Sequence, residues 1–302
     1  MPGYARARAE TKDMPSRVDA VMLESRASVL AKRSLKADAK RTALDIVVAC
    51  MDLTTLEGKD TPGKVSGLCA RALSPAPGVS NVAAVCVYPS LVAVAAAVLR
   101  GSAVKVASVA TAFPSGLSPL EVKLRETRDA IAAGADEIDM VIDRSAFLSG
   151  RYDAVAHEII AIREACLGVT LKVILEAGEL GSYAAIRRAC DIALGAGADF
   201  LKTSTGKIGV SSTPAIALLM CEAIRDHAHR TGREVGLKLA GGIRTSKSAL
   251  GYVSIVYETL GNGWLRPERF RIGASSLLDD VLMQRAKEAS GNYSGAPYVA
   301  VA

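Results

Sequence analysis

The chain has 302 residues, half of them hydrophobic, so it holds enough apolar material for one large core or two ordinary ones. No apolar run approaches the roughly 18 residues that a membrane helix needs, and the N-terminus lacks the apolar core of a secretory signal. The net charge of +6 lies almost entirely in the first 41 residues, where ten Lys/Arg stand beside five Asp/Glu. These features predict a cytoplasmic protein without a membrane partner.

The basic leader comes first in the chain. Its acidic residues are interspersed among the basic ones, which favours a solvated extension or an added helix over nucleic-acid contact or organelle import. We therefore divide the chain into a basic N-terminal helical extension (1–43), a main domain (44–289) and a flexible C-terminal tail (290–302). No nucleic-acid partner is expected.

From about residue 44 the sequence alternates short apolar runs, typical of β-strands, with longer helical patterns. Helices are predicted, for example, over 118–134 and 212–232, which begin with Ser-Pro or Ser-Thr-Pro and end at Gly. Eight strand-helix units over about 245 residues predict an α/β fold of the (β/α)8 TIM-barrel type. The predicted strands are 44–51, 82–88, 105–111, 137–143, 170–177, 200–205, 236–242 and 269–275.

The alternative is a doubly wound open sheet with a nucleotide fingerprint. GAGADF (195–200) and GNGWLR (261–266) both lack the third glycine of that fingerprint. The TGK segment (205–207) also fails as an ATP-binding loop, because Leu201 and Ile208 stand where Gly and Ser or Thr are required. We therefore prefer the barrel.

In such a barrel the reacting groups lie at the C-terminal ends of the strands. The histidines of the chain, His157, His227 and His229, fall instead on predicted outer helices. The six cysteines show no CxxC pair and no regular spacing. A metal site, a Ser-His triad and a disulfide framework are therefore all disfavoured.

Lysines inside apolar strands are the clearest indication of a catalytic site in this sequence. Lys202 and Lys238 both lie in such strands, where an amine is costly to bury unless it is paired, neutralised or functional. Lys172 has the same setting, although an ion pair with a neighbouring acid would make it structural. A buried amine beside a second ammonium is well suited to form a Schiff base, because burial and the neighbouring cation both disfavour its charged form.

Two pairs of small residues suggest a phosphate site. Gly241 and Gly242 follow the seventh predicted strand, and Ser275 and Ser276 follow the eighth. Barrels commonly bind phosphate there through backbone N–H groups and a helix N-terminus. A tight turn alone would explain the two glycines, but the serines after the last strand favour the phosphate site.

Seven segments resemble the deoxyribose-phosphate aldolase family of class I aldolases: 52–61, 85–90, 137–152, 171–180, 201–207, 237–244 and 270–280. The resemblance spans about residues 44–285. It implies an enzyme that reversibly cleaves 2-deoxy-D-ribose 5-phosphate to D-glyceraldehyde 3-phosphate and acetaldehyde without a metal or organic cofactor. By motif it implies a Schiff base at Lys202, a perturbing cation at Lys238 and a proton relay of Asp139 with Lys238 and a water.

The same resemblance implies a phosphorylated sugar as partner and a set of substrate-binding residues: Asp52, Cys86, Thr205, Lys207, Gly241, Gly242, Ser275 and Ser276. The chain does not end in the tyrosine that some family members use for proton transfer, so the role of Tyr293 or Tyr298 stays open. Two alternatives also stay open, another Schiff-base sugar-phosphate barrel of transaldolase type and a non-catalytic phosphometabolite-binding barrel. Assembly into a homo-oligomer is left open as well.

Overall fold

The computed structural model describes residues 18–274 and 276–290. Ser275, Tyr293 and Tyr298, which the sequence marks as candidates, lie outside the described residues, as does the first part of the leader. The described chain forms eight strands: β1 Met51–Thr54, β2 Ala84–Val87, β3 Lys105–Ala110, β4 Glu137–Val141, β5 Thr170–Ile174, β6 Phe200–Lys202, β7 Gly236–Ala240 and β8 Phe270–Ala274.

These strands form a closed parallel barrel in chain order, in which β8 pairs with β1. The predicted TIM-barrel fold is therefore confirmed. The register places Lys202 on β6 opposite Lys238 on β7, and Asp139 on β4 opposite Lys172 on β5. Partners in a parallel register lie side by side, so the fold itself brings these charged residues together.

The α-helices of the described part surround the barrel: Ala20–Ala31, Ala37–Ala49, Pro62–Leu73, Val92–Leu99, Leu120–Ala132, Arg144–Leu148, Tyr152–Ala165, Tyr183–Gly195, Pro214–Thr231, Ser246–Leu260 and Leu277–Ser290. Helix Pro214–Thr231 begins and ends as predicted, because the Thr213 side chain accepts the N–H of Ile216 and Gly232 adopts a left-handed φ of 71°. Helix Leu120–Ala132 differs at its start. Pro119 itself occupies the N-cap position there, without a side-chain cap among the described residues.

The prediction for the first strand was wrong. Residues 44–49 of the predicted strand belong to helix Ala37–Ala49, and β1 begins at Met51. Leu44, Val47 and Val48 are buried while Asp45 is exposed, which is the spacing of one helix face. A short aliphatic run does not distinguish a strand from a helix by itself. The proposed boundary between residues 43 and 44 falls inside this helix.

The leader contributes a helix that packs on the barrel, Ala20–Ala31. Leu23 and Ala27 are its buried residues, and the helix contacts Pro214–Thr231 and Ser246–Leu260. Arg26 pairs with Glu222 at 2.5 Å, and Arg33, just after the helix, pairs with Glu258. Part of the positive charge of the leader is therefore directed at acidic groups of the barrel helices.

The described helices include no segment long and apolar enough to span a membrane. The cytoplasmic location stays a prediction. All six cysteines lie in the described part of the chain, where they are buried and form no disulfide.

Candidate active site

A cluster of buried charged side chains fills the interior of the barrel. Six of the eight strands contribute to it, and each member is at most 5 % exposed. Burying so many charges is costly unless they are paired. Four cations and three anions make up the cluster: Lys172, Lys202, Lys238 and Arg271 with Asp52, Glu137 and Asp139.

Asp139 lies at the centre of this cluster. Its Oδ2 accepts hydrogen bonds from Nζ of Lys202 at 2.7 Å and from Nζ of Lys238 at 2.8 Å. Its Oδ1 accepts a third from Nζ of Lys172 at 2.8 Å. One carboxylate therefore holds three lysines.

Asp52, Glu137 and Arg271, the other members of the cluster, form ion pairs with these lysines and with each other. Nζ of Lys238 lies 2.5 Å from Oδ2 of Asp52, an ion pair without hydrogen-bond geometry. Arg271 donates to Oδ1 of Asp52 at 2.7 Å and to Oε1 of Glu137 at 2.7 Å. Lys172 pairs with Glu137 as well as with Asp139. Lys172 thus has the ion-paired setting that marks a structural lysine.

The three lysines differ in how easily they lose a proton. Burial lowers the pKa of Lys202 below that of an ordinary lysine, and the ammonium of Lys238 lowers it further, although Asp139 opposes both. At Lys238 the effect of burial is outweighed by Asp139 and Asp52, which raise its pKa. The pKa of Lys172 is raised in the same way, by Asp139 and Glu137 against burial. Lys202 is therefore the lysine of the three that loses its proton most easily and the candidate nucleophile, and Lys238 lies beside it as a firmly held cation.

The carboxylate that joins them stays ionised. Burial would raise the pKa of Asp139, but Lys172, Lys202 and Lys238 hold it well below its ordinary value. Asp139 is thus a weak base and a strong hydrogen-bond acceptor.

A cavity of about 540 Å³ opens above this cluster, at the C-terminal end of the barrel. It is lined by the last residues of several strands and by the loops that follow them. Most of the predicted site residues meet on its wall: Lys202, Lys238, Thr205, Lys207, Gly241 and Gly242.

The predicted phosphate cradle lies partly on this wall. Gly241 and Gly242 adopt left-handed φ values of 84° and 78°, which favour glycine. A Cβ on Gly241 would lie 2.3 Å from that of Ser211, so a side chain there would also clash. Ser276 is exposed just before helix Leu277–Ser290, whereas Ser275 lies outside the described residues.

Asp52 and Cys86 are placed differently from the other predicted substrate-binding residues. Both are fully buried, behind the residues that line the cavity. The carboxylate of Asp52 is occupied by Arg271 and Lys238, which favours a positioning role in place of direct substrate contact. The Sγ of Cys86 lies 3.9 Å from Oδ2 of Asp139.

Sequence reasoning missed Arg271 and Glu137. Both are charged residues inside apolar strands, which is the same signal that marks the lysines. It also missed Glu57, which lines the cavity and accepts a hydrogen bond from Nζ of Lys207 at 2.8 Å. Glu57 lies in a loop after β1, where the pattern of the sequence carries no signal.

The described part of the site shows no candidate metal centre. His157 lies on helix Tyr152–Ala165, and His227 and His229 lie on helix Pro214–Thr231, outside the barrel as predicted. Across residues 18–274 and 276–290, no group of three His, Cys, Asp or Glu side chains is arranged to hold a metal ion.

Comparison with known proteins places this arrangement in a family. The sequence model of the DeoC/LacD family aldolases matches residues 46–279. The chain belongs to the DeoC/LacD aldolase family. The matched segment contains all eight strands and every charged member of the buried cluster. The family resemblance drawn from sequence motifs is thus confirmed.

Curated relatives in the DeoC/LacD aldolase family cover nearly the whole chain. A deoxyribose-phosphate aldolase of Mus musculus is 43 % identical over 289 residues, which is 91 % of this chain and 91 % of that protein. One of Homo sapiens is 43 % identical over 280 residues, 88 % of each chain. Among solved structures, the tetrameric deoxyribose phosphate aldolase of Aeropyrum pernix has a TM-score of 0.65 at 26 % identity and covers 85 % of this chain and 100 % of that one.

Proposed function

We propose that this chain is a class I aldolase that reversibly cleaves 2-deoxy-D-ribose 5-phosphate to D-glyceraldehyde 3-phosphate and acetaldehyde. One observation carries the proposal. Lys202, whose pKa is lowered by burial and by Lys238, opens on a cavity of about 540 Å³ whose wall also holds Gly241 and Gly242 of the predicted phosphate cradle. The relatives named above supply the substrate class.

The reaction begins at the amine of Lys202. In its neutral form the amine attacks C1 of the open-chain sugar, and loss of water gives an iminium ion. A base then removes the proton of the C3 hydroxyl, the C2–C3 bond breaks, and its electron pair neutralises the iminium as an enamine. Glyceraldehyde 3-phosphate leaves at this point. Protonation of the enamine at C2 and hydrolysis release acetaldehyde and restore Lys202.

We assign the proton transfers to a relay of Asp139, Lys238 and a water. Asp139 contributes by accepting hydrogen bonds from Nζ of Lys202 and of Lys238 on one oxygen, since three lysines keep its pKa too low for it to be a strong base. Lys238 supplies a fixed cation beside the developing enamine nitrogen. Such a preorganised charge acts strongly among side chains that are almost fully buried.

Substrate binding is assigned to the cavity wall. Lys207 and the N–H groups near Gly241, Gly242 and Ser276 would hold the phosphate, with Ser275 completing the cradle. Thr205 would contact the sugar between this cradle and Lys202. No metal or organic cofactor is required, because the iminium is the electron sink.

Release of acetaldehyde from 2-deoxyribose 5-phosphate tests the proposal and can be followed by NADH oxidation with alcohol dehydrogenase. We expect cleavage by the wild-type protein, none by Lys202→Leu, and much weaker cleavage of unphosphorylated deoxyribose. A folded wild-type protein that releases no acetaldehyde would contradict the proposal. Transfer of a three-carbon dihydroxyacetone unit from fructose 6-phosphate would instead support the transaldolase-type alternative.

We also propose that the chain forms a homo-oligomer, because the Aeropyrum pernix relative is tetrameric. Light scattering after size-exclusion chromatography would show a mass of two or more chains. A monomer at micromolar concentration would contradict this.

A further inference from the structure

Glu176 is a buried carboxylate that the proposed mechanism does not use. It lies just after β5, separated from the strand by Leu175, and is fully buried. Its backbone adopts φ 52° and ψ 54°, the left-handed region that a residue with a Cβ rarely occupies. A strained backbone at a buried charge persists only where the surrounding structure holds it in place.

Glu176 contacts the loop that carries two of the predicted substrate-binding residues. Its Oε1 accepts the backbone N–H of Thr205 at 3.1 Å, and its Oε2 accepts the Thr205 hydroxyl at 2.5 Å. The same hydroxyl oxygen accepts the backbone N–H of Lys207 at 3.0 Å. Thr205 and Lys207 both line the cavity beside Lys202. One carboxylate thus fixes the backbone from which Lys207 projects.

Arg144 holds the other side of this carboxylate. It follows β4, and its guanidinium lies 3.1 Å from Oε2 of Glu176 and 3.2 Å from Oε2 of Glu179. It also donates to the carbonyl oxygens of Pro114 and Ser115, each at 3.1 Å. Residues that follow three neighbouring strands, β3, β4 and β5, are therefore joined at Glu176.

The backbone around Glu176 clamps the same loop at two more points. The N–H of Ala177 donates to the carbonyl of Thr203 at 2.9 Å. A Cβ on Gly178 would lie 2.0 Å from the carbonyl oxygen of Val210, so the two segments touch where only glycine fits. The turn Ala177–Glu179 therefore packs against both ends of the loop between residues 203 and 211.

We propose that Glu176 is a positioning residue for substrate binding: it acts through Thr205 to hold Lys207 and its loop at the distance from Lys202 that the phosphorylated sugar requires. This inference rests on the proposed function for the identity of the sugar. Glu176 itself does not line the cavity among the residues described, so it has no direct contact with substrate to lose. A residue with a merely structural role would change stability without changing the relation between KM and kcat.

The test compares Glu176→Ala and Glu176→Gln with a matched control, Glu179→Gln, from the same turn. We expect Glu176→Ala to raise KM for 2-deoxyribose 5-phosphate about tenfold or more, since two hydrogen bonds to a charged group are lost. Borohydride trapping of acetaldehyde on Lys202 should change less than about twofold, because that lysine is untouched. Glu176→Gln keeps an acceptor and should recover part of the loss, and Glu179→Gln should resemble the wild type.

A readout that needs no turnover separates this inference from the proposed function. Glycerol 3-phosphate, titrated by calorimetry, should bind about tenfold more weakly to Glu176→Ala and normally to Glu179→Gln. If the wild type fails to cleave the sugar but this difference holds, the proposed function is wrong and the positioning role stands. Equal binding by all variants, or an equal loss of phosphate binding and acetaldehyde trapping, would overturn the positioning role.

Thr205→Val keeps the test decisive if Glu176→Ala does not fold. It removes the hydroxyl that links Glu176 to the N–H of Lys207 while keeping the size of the side chain. Since Thr205 is itself assigned a contact with the sugar, the deciding quantity is the coupling between the two substitutions: we expect little further rise in KM when Glu176→Gln is added, because both changes break the same link. Fully additive effects of the two substitutions would overturn the positioning role.

Discussion

Lys202 and Lys238 lie opposite each other on β6 and β7, and both donate to the same oxygen of Asp139, at 2.7 and 2.8 Å. Two ammonium groups this close repel each other, so one of them gives up its proton more readily. Lys238 has a second carboxylate, Asp52, at 2.5 Å, whereas among the described residues Lys202 pairs with Asp139. This asymmetry favours Lys202 over Lys238 as the amine that deprotonates.

Replacing Lys238 by leucine should therefore raise the pKa of Lys202. Without the neighbouring cation, Asp139 holds the Lys202 ammonium more strongly, and less free amine is present at neutral pH. We expect acetaldehyde trapping at pH 7 to fall more than about tenfold and to recover partly in alkali, while turnover stays low because the relay is lost. Trapping rates measured from pH 6 to 10 check this. An unchanged pH profile would contradict it.

Replacing Asp139 by asparagine should destabilise the fold. Three lysine ammonium groups would lose their shared carboxylate, and breaking a buried ion pair in this way costs about 3–5 kcal/mol of unfolding free energy. Because the pKa of Asp139 is lowered in the folded state, this contribution is complete above about pH 4 and is lost as the pH falls further. Urea unfolding at several pH values measures it.

The matched control for this substitution is Asp45→Asn, since Asp45 pairs with Arg285 and its side chain is 54 % exposed. It should cost less than about 1 kcal/mol. If Asp139→Asn lowered the free energy of unfolding no more than Asp45→Asn does, the central place of Asp139 in the cluster would be refuted.

Lys207 should affect substrate binding and leave Schiff-base chemistry intact. Its ammonium is paired with Glu57 on the cavity wall, away from the buried cluster. We expect Lys207→Ala to raise KM for the phosphorylated sugar about tenfold and to change acetaldehyde trapping less than about twofold, since acetaldehyde has no phosphate. Steady-state kinetics and trapping on the same preparation would show this. An equal loss of substrate binding and of acetaldehyde trapping would instead indicate that Lys207 takes part in Schiff-base formation.

The phosphate cradle can be tested at Ser276, just before helix Leu277–Ser290. If its backbone N–H faces the phosphate, Ser276→Pro removes the donor and should raise KM about tenfold, whereas Ser276→Ala should have an effect below about twofold. Proline is tolerated at a helix start, so the comparison does not depend on unfolding. Equal and mild effects would argue against the cradle.

Activity should survive prolonged treatment with EDTA. The proposed electron sink is the iminium on Lys202, and the histidines of the chain lie on outer helices. The measurement is acetaldehyde release after chelation and dialysis. A large loss that Zn²⁺ restores would overturn the class I assignment.

The barrel could be predicted because the strand pattern repeats eight times, and Lys202 and Lys238 stood out because lysines are conspicuous in apolar strands. Asp139, Thr205 and Lys207 were indicated by the family resemblance instead. The first strand was misplaced because Leu44, Val47 and Val48 look the same on a buried helix face as on a strand. The sequence also could not show that the carboxylate of Asp52 is taken up by Arg271. Such pairings depend on strand register and side-chain direction, which the pattern alone does not supply.

The contacts of Glu176 could not be predicted from the sequence pattern either. Glu176 lies in the segment LEAGEL, and nothing in the spacing of that segment indicates a left-handed backbone or a contact with Thr205. That contact exists because β5 and β6 are neighbours in the barrel, so the turns that follow them touch.

Peptide mapping after borohydride reduction with acetaldehyde tests the central claim most directly. Lys202, Lys207 and Lys238 all line the cavity, and Lys202 combines a lowered pKa with a place beside the retained cation Lys238. We predict that mass spectrometry finds the reduced two-carbon adduct on Lys202 in the wild-type protein and no adduct on Lys202→Leu. An adduct on Lys238 or Lys207 of the wild-type protein would contradict the assignment and require the roles of the lysines to be exchanged.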